Sequence, residues 1–223
     1  MPLLIKICGL RTPDALDAAL DAGADMVGFV FFPPSPRNLG IEAARALGER
    51  VAGRARKVAL SVDATDLELA KAVDALKPDL LQLHGKETPE RVAAVHSRFG
   101  LPVMKAIPIE QRADLSPIRL YEKVVDRILF DARAPREATR PGGLGKAFDW
   151  HLLENLDLAV PFMLSGGLDA NNVAEAMRIT RAPSVDVSSG VESVPGEKDP
   201  QKIYEFIRAA RAADMTKKLS HAS

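Results

Sequence analysis

The fold of this chain is decided by a unit that first appears at residues 4–32, "LIKICGLRTPDALDAALDAGADMVGFVFF". Apolar runs rich in β-branched residues begin and end this stretch, and an alanine-rich segment with helical periodicity lies between them. Thr12 stands where a helix N-cap is expected, with Pro13 at the first helical position. Gly23 is placed to end the helix. The stretch therefore predicts a strand, a helix and a second strand.

The same unit recurs along the whole chain. Each interval between apolar runs is long enough for the crossover helix that parallel strand pairing requires. Eight such units in 223 residues predict an α/β chain folded as a single-domain (β/α)8 TIM barrel. A doubly wound open sheet is the structural alternative. The predicted strands are Leu3–Ile7, Met26–Phe32, Lys57–Val62, Leu80–Leu83, Val103–Ile107, Arg127–Phe130, Pro161–Leu164 and Ser184–Val187.

We expect residues 1–214 to form the barrel and residues 215–223 to be a frayed polar tail. Lysine plus arginine and aspartate plus glutamate number 30 each, so charge gives no case for a nucleic-acid or membrane partner. A single cysteine cannot form an intrachain disulfide, and no secretory or membrane-spanning pattern is visible. A cytoplasmic protein is the expectation.

In a barrel of this kind the loops at the carboxyl ends of the strands carry the chemistry. Serine and glycine follow the seventh and eighth strands, as "SGG" at 165–167 and "SSG" at 188–190. Barrels commonly bind phosphate at these two loops, because glycine lets backbone amides approach an anion closely. Ordinary barrel turns would look similar. Two such loops in adjacent units favour a phosphate site, with a phosphosugar as the ligand.

Side chains alternate between the two faces of a strand, so Lys6 and Cys8 share one face. Ile5 and Ile7 then belong to the helix-facing layer, and Lys6 and Cys8 point into the barrel. An ammonium group beside a thiol favours the thiolate and should lower the pKa of Cys8. A thiolate is a competent base. The competing interpretation is that a lone strand cysteine simply packs in the core.

Asp131 and Leu129 lie on the same face of the predicted strand, so the Asp131 carboxyl group should lie at the barrel mouth. Partial burial favours the neutral form of a carboxyl group, which is the form that a general acid needs. The alternative is that Asp131 caps the following segment. For His84, a hydrogen-bonded histidine at a strand end is a better interpretation than a metal ligand, since no second ligand is suitably spaced. Arg37, on a proline-stiffened loop, either binds a carboxylate or is a solvated charge.

Several motifs coincide in order along nearly the whole chain, from residue 5 to about residue 210. They resemble phosphoribosylanthranilate isomerase of tryptophan biosynthesis. The motifs are "KICG" at 6–9, "GFVFFPPSPR" at 28–37, "LQLHG" at 81–85, "LFD" at 129–131, "GGLGKAFDW" at 142–150, "LSGGL" at 164–168 and "VDVSSGVE" at 185–192.

The resemblance implies an Amadori rearrangement of N-(5-phosphoribosyl)anthranilate without metal or cofactor, in a monomer or homodimer. It implies that Asp131 is the general acid for the furanose oxygen and that Cys8 is the base for the proton on C2. It further implies that Arg37 pairs with the anthranilate carboxylate. The phosphate-binding residues that it implies are Gly166, Gly167, Ser188, Ser189 and Gly190, and supporting residues near the site are Lys6, Gln82, His84 and Asp186.

Two positions depart from the family pattern. Leu144 stands where the family often has Thr or Ser, so a hydroxyl contact is absent there or supplied elsewhere. Asp63 stands where the family commonly has Asn, and an extra acid would alter the local charge.

Two other functions compete with this one. The related histidine-pathway isomerase catalyses the same rearrangement with an aspartate pair, and Cys8 argues against it. An enzyme that acts on both substrates is not excluded by sequence. A non-catalytic phosphoribosyl-binding barrel is the third possibility, but it need not retain both Cys8 and Asp131.

Overall fold

A computed structural model describes residues 2–135, 138, 141–143, 145 and 147–220, with backbone only for 216–220. Eight parallel strands follow one another in chain order, and the last pairs with the first, so the sheet is a closed barrel. This confirms the predicted (β/α)8 fold and rules out the open sheet. The strands are β1 (Leu4–Cys8), β2 (Met26–Phe31), β3 (Arg56–Ser61), β4 (Leu80–Leu83), β5 (Val103–Ile109), β6 (Arg127–Ala132), β7 (Phe162–Leu164) and β8 (Ser184–Val187).

Helices occupy most of the connections. Those between the barrel strands are α1 (Pro13–Asp21), α2 (Ile41–Val51), α3 (Asp66–Leu76), α4 (Pro89–Phe99), α5 (Ile118–Tyr121) and α6 (Val173–Thr180). Thr12 caps α1 as predicted, with its hydroxyl accepting from the Ala15 amide at 3.3 Å. The expectation of a helix in every connection is wrong between β6 and β7. The described part of that connection holds only a 3₁₀ turn, Trp150–Leu153.

After β8 the chain forms an antiparallel hairpin of β9 (Glu192–Val194) and β10 (Glu197–Lys198), and then α7 (Pro200–Ser220). Helix α7 thus extends into the stretch 215–223 that the sequence predicts to be a tail. Residues 221–223 lie outside the described part of the chain, and the tail stays a prediction. No helix among the described residues is long and apolar enough to cross a membrane.

Strand alternation sorts the side chains as predicted. Ile5 and Ile7 belong to the large core between the sheet and the helices, as do Ile128 and Phe130. The barrel interior holds a separate apolar cluster of Met26, Val58, Leu80, Met104, Ala106, Leu129 and Met163. Above this cluster the inward-facing side chains include both a small apolar group around Cys8, Val30 and Leu60 and the polar groups that line the cavity.

The opposite end of the barrel is held by a repeated carboxylate contact. An aspartate just before each even-numbered strand from β2 to β6 accepts a backbone N–H from the preceding odd-numbered strand. The pairs are Ile5 to Asp25 at 2.7 Å, Lys57 to Asp79 at 2.7 Å and Val103 to Asp126 at 2.8 Å. Each contact satisfies a strand-end amide that the ladder leaves without a partner.

We expect Asp25→Ala to lower the free energy of unfolding by about 1–3 kcal/mol, the cost of leaving a buried amide unsatisfied. Ile5 is fully buried, and Asp25 also pairs with Arg211 at 2.7 Å. Urea titration followed by circular dichroism measures the change. Asp157→Ala, which removes an exposed loop carboxylate, should have little effect. Equal stability of the two variants would contradict this role for Asp25.

Candidate active site

A cavity of about 800 Å³, including its open mouth, lies at the carboxyl ends of the barrel strands. Most of the residues that the sequence singled out line it, although they come from six different strands or their following loops. They are Cys8, Arg37, Gln82, His84, Asp131, Gly166, Gly167, Asp186, Ser188 and Ser189. The fold therefore brings together two reactive groups, a cation and the two glycine-serine loops.

Lys6 lies just below the cavity and is fully buried. Its ammonium donates to Oδ1 of Asp186 at 2.9 Å, and the two residues are register partners where β1 meets β8. Burial opposes the charge on Lys6, but Asp186 and then Cys8 outweigh it and raise the pKa of Lys6. Ser165 also lies within 3.4 Å of Asp186 through its hydroxyl. Lys6 is thus a charged group whose nearest partner is a carboxylate.

Cys8 is buried at the end of β1 and faces the cavity. Its cross-strand neighbour is Gly28, and a Cβ at that position would come within 2.9 Å of the Cys8 sulfur. Glycine therefore makes the room that the thiol occupies. The sequence analysis did not single out Gly28, which appears there only within the predicted strand Met26–Phe32.

The predicted fall in the pKa of Cys8 is wrong in direction. Burial raises the pKa of this thiol, Lys6 lowers it, and the carboxylate of Asp186 raises it again. The physical reason is that burial disfavours the charged thiolate by more than Lys6, which is itself paired with Asp186, favours it. In the free protein the thiol form of Cys8 is favoured over the thiolate.

Asp131 is the penultimate residue of β6, and its carboxyl group is held from two sides. Its Oδ1 accepts from the Ala132 amide at 2.9 Å, and its Oδ2 lies 3.1 Å from Nε2 of His84. The other ring nitrogen of His84 lies 3.1 Å from the amide nitrogen of Gln82, which can only donate. This arrangement matches the predicted hydrogen-bonded histidine and orients the Asp131 carboxyl group.

Arg37 is not a solvated loop charge. Its side chain is 5% exposed, and it binds both carboxylate oxygens of Glu192 at 2.7 and 2.8 Å. It also donates to the carbonyl of Gly143 at 3.1 Å. Burial alone would raise the pKa of Glu192, but Arg37 and Lys198 outweigh it and lower that pKa. Arg37 is therefore a guanidinium held rigidly at the cavity wall.

The two glycine-serine loops face the cavity next to each other. Gly166 and Gly167 adopt positive φ values of 87° and 66°. Ser188 donates its hydroxyl to the carbonyl of Cys8 at 3.0 Å, which ties the loop after β8 to the end of β1. Gly190 directly follows Ser189 but is not among the residues that line the cavity. A Cβ on Gly190 would overlap the carbonyl of Leu168, so this glycine lets the two loops touch.

One family departure lies outside the described residues, namely Leu144. The other, Asp63, is well ordered by contacts. It adopts a positive φ of 48°, which Asn and Asp tolerate better than most residues. Its Oδ1 accepts from the Lys86 amide at 2.6 Å. The Asp63 carboxylate therefore holds the loop after β4 in place, which is a structural role.

The sequence analysis assigned no role to two residues beside the site. Glu192 appeared only as the last residue of a quoted motif, and Lys198 was not mentioned. Both matter because they form a buried ion cluster with Arg37. Among the described residues, no group of three or more His, Cys, Asp or Glu side chains is arranged to hold a metal ion.

Comparison with known proteins agrees with this geometry. A family model described as N-(5'-phosphoribosyl)anthranilate (PRA) isomerase matches residues 5–209. A relative from Bradyrhizobium diazoefficiens, named N-(5'-phosphoribosyl)anthranilate isomerase, is 65% identical over 221 residues, which cover 99% of each chain.

Solved structures show the same architecture. Phosphoribosyl anthranilate isomerase from Thermotoga maritima aligns with a TM-score of 0.85 and 34% identity, over 94% of this chain and 99% of that one. A phosphoribosyl anthranilate isomerase in complex with reduced 1-(o-carboxyphenylamino)-1-deoxyribulose 5-phosphate aligns with a TM-score of 0.80 and 30% identity, over the same shares. By sequence and by fold, this chain belongs to the N-(5'-phosphoribosyl)anthranilate isomerase family.

Proposed function

We propose that this chain converts N-(5-phosphoribosyl)anthranilate into 1-(2-carboxyphenylamino)-1-deoxyribulose 5-phosphate, the Amadori rearrangement of tryptophan biosynthesis, by general acid–base catalysis. Membership of the isomerase family supports the reaction. One observation carries the mechanism: Cys8 and Asp131 line a single cavity that has Arg37 and the two glycine-serine loops in its wall.

The reaction needs one proton donor and one proton acceptor. Asp131 donates a proton to the furanose ring oxygen, the C1–O bond breaks, and a Schiff base forms between C1 and the aniline nitrogen. Cys8 then removes the proton from C2, which gives an enolamine. Tautomerisation of the enolamine yields the ketone. The substrate gains and loses one proton, and exchange with water restores both side chains.

The raised pKa of Cys8 bears on this mechanism. A base with a raised pKa is stronger once it is ionised, although less of it is ionised at neutral pH. In the complex the Cys8 thiol first releases its own proton to water, and the positive charge of the Schiff base nitrogen favours this ionisation. The base is therefore generated in the complex in which it is needed.

The two anchors match the two charged ends of the elongated substrate. Arg37 is a planar donor suited to the anthranilate carboxylate. The loops after β7 and β8 offer backbone amides and the Ser189 hydroxyl to the phosphate. Binding at both ends holds C2 near Cys8 and the ring oxygen near Asp131. Positioning of this kind contributes several kcal/mol to catalysis.

Other expectations accompany the proposal. Proton transfers alone balance the reaction, so we propose no metal or organic cofactor. A lone cysteine and equal numbers of acidic and basic residues fit a cytoplasmic enzyme with a small-molecule substrate and no nucleic-acid or membrane partner. We expect a monomer or homodimer, which light scattering would distinguish.

We expect Cys8→Ala and Asp131→Asn each to abolish detectable turnover, because each removes one of the two proton-transfer groups. Anthranilate-ring fluorescence follows the reaction. Both variants should bind a reduced product analogue nearly as tightly as the parent protein, since the anchors are untouched. Full activity of the Cys8→Ala enzyme would eliminate Cys8 as the base.

Arg37→Ala should raise KM for phosphoribosylanthranilate by about tenfold or more and lower kcat by less, because it removes a charge-assisted contact with a ground-state carboxylate. Steady-state kinetics measures both constants. Arg11→Ala is the control, since Arg11 is exposed and donates to the Pro36 carbonyl, in the loop that carries Arg37. An unchanged KM in Arg37→Ala would refute the anchor.

Purified protein should turn over phosphoribosylanthranilate far faster than the histidine-pathway substrate. Cys8 replaces the aspartate that the histidine-pathway isomerase uses. Parallel assays of both substrates test this expectation. Comparable kcat/KM values for the two would instead identify a bispecific enzyme.

A further inference from the structure

The β9–β10 hairpin connects the loop after β2, which carries Arg37, with the glycine-serine loop after β8. It begins at Glu192, three residues after Ser189 of the β8 loop, and its turn packs against the loop that follows β2. At the turn, Gly196 has a positive φ of 91°, and a Cβ there would lie 2.6 Å from the Pro36 carbonyl. The turn therefore presses against the residue next to Arg37, while the base of the hairpin continues from Ser188 and Ser189.

The carboxylate of Glu192 is the centre of this bridge. It accepts two hydrogen bonds from Arg37, at 2.7 and 2.8 Å. It also accepts one from the Gly196 amide at 3.2 Å and one from the Lys198 ammonium at 2.7 Å. Four donors on one buried carboxylate fix the position of the Arg37 guanidinium relative to the hairpin.

Lys198 connects that centre to the loop after β8. Its side chain is 1% exposed. Besides Glu192, its ammonium donates to the Ser188 carbonyl at 2.8 Å and to the Ser188 hydroxyl at 3.1 Å. An ammonium group has three hydrogens, so these contacts use all of them. Lys198 therefore acts on the cavity through Ser188 and not by touching a ligand.

From these contacts we propose that Glu192 and Lys198 are positioning residues that couple the Arg37 anchor to the phosphate loop, so that occupation of one end of the site strengthens binding at the other. The proposal deepens the proposed function, because it rests on Arg37 binding the anthranilate carboxylate and on Ser188 and Ser189 binding the phosphate. The three charged groups carry one net positive charge when Lys198 is protonated, and that charge lies directly beneath Ser188.

The coupling can be measured with one probe for each end of the site. Anthranilate reports on the carboxylate end, through its fluorescence, and inorganic sulfate reports on the phosphate end without titrating. In the parent protein, saturating sulfate should tighten anthranilate binding by about fivefold or more, a typical coupling between sites. In Lys198→Met and in Glu192→Gln the factor should fall towards one. No coupling in the parent protein, or full coupling in both variants, would overturn the proposal.

Matched variants separate coupling from a merely structural role. Lys202→Met removes a lysine of α7 whose ammonium donates to the backbone carbonyl of Glu192 at 2.8 Å. It should keep the parent coupling. Glu192→Gln keeps the size of the side chain, and urea titration shows that each variant is folded at the assay temperature. Lys198→Met should also raise KM about tenfold or more with a smaller fall in kcat, because Ser188 of the phosphate loop loses the ammonium that positions it in the ground state.

The same measurements distinguish failure of this proposal from failure of the proposed function. If Arg37→Ala leaves anthranilate affinity unchanged, the carboxylate anchor itself is wrong and the coupling proposal falls with it. If Arg37→Ala weakens anthranilate binding but Lys198→Met leaves the coupling intact, only the coupling proposal is overturned.

A pH series gives an independent readout. Burial lowers the pKa of Lys198 to about 8, even though Glu192 opposes the shift. Arg37 already shares the Glu192 charge and repels the ammonium. As pH rises through about 8, Lys198 loses its proton and the coupling should fade.

The other titratable groups near Lys198 are Glu192 and Arg37, Cys8 at the end of β1, and Lys202 on α7. Cys8→Ala should keep the pH dependence, and Lys198→Met should lose it. A pH dependence that disappears in Cys8→Ala would contradict the role of Lys198.

Discussion

The ion pair between Lys6 and Asp186 lies at the seam where β1 and β8 close the barrel. The two residues are 180 positions apart in the chain, and only closure makes them neighbours. A buried ammonium without a partner would cost several kcal/mol, so the pair also constrains the register in which the barrel can close. Cys8 is the next inward-facing residue on β1. Its environment is therefore set by the seam.

The pair explains why a lysine beside a cysteine does not produce a thiolate here. Burial is the largest influence on the pKa of Cys8 and raises it, and the Asp186 carboxylate offsets part of the lowering that Lys6 causes. The other buried lysines near the mouth follow the same rule: Lys105 pairs with Glu87 at 3.0 Å and Lys198 with Glu192 at 2.7 Å. In each case the cation stabilises a loop, and the reactive groups are left to respond to the substrate.

Much of the fold was predictable because its signals are local. The apolar runs coincide with the eight strands to within two residues at each end, and Thr12 caps α1 as its sequence context indicates. Alternation also placed Cys8 and Asp131 on the inward face. The connection after β6 was not predictable in the same way. Length alone suggested a helix there, whereas the described part contains a 3₁₀ turn, since length is only a necessary condition for a crossover helix.

By itself, the sequence determined the strand periodicity, the faces on which Lys6, Cys8 and Asp131 lie, and the motifs that mark the isomerase family. These depend on residues a few positions apart, or on order along the chain. The tertiary structure decided which charges meet: Lys6 with Asp186, and Arg37 with Glu192 and Lys198. A pKa or an anchor geometry depends on such partners. They come from strands and loops far apart in the chain, so no local pattern announces them.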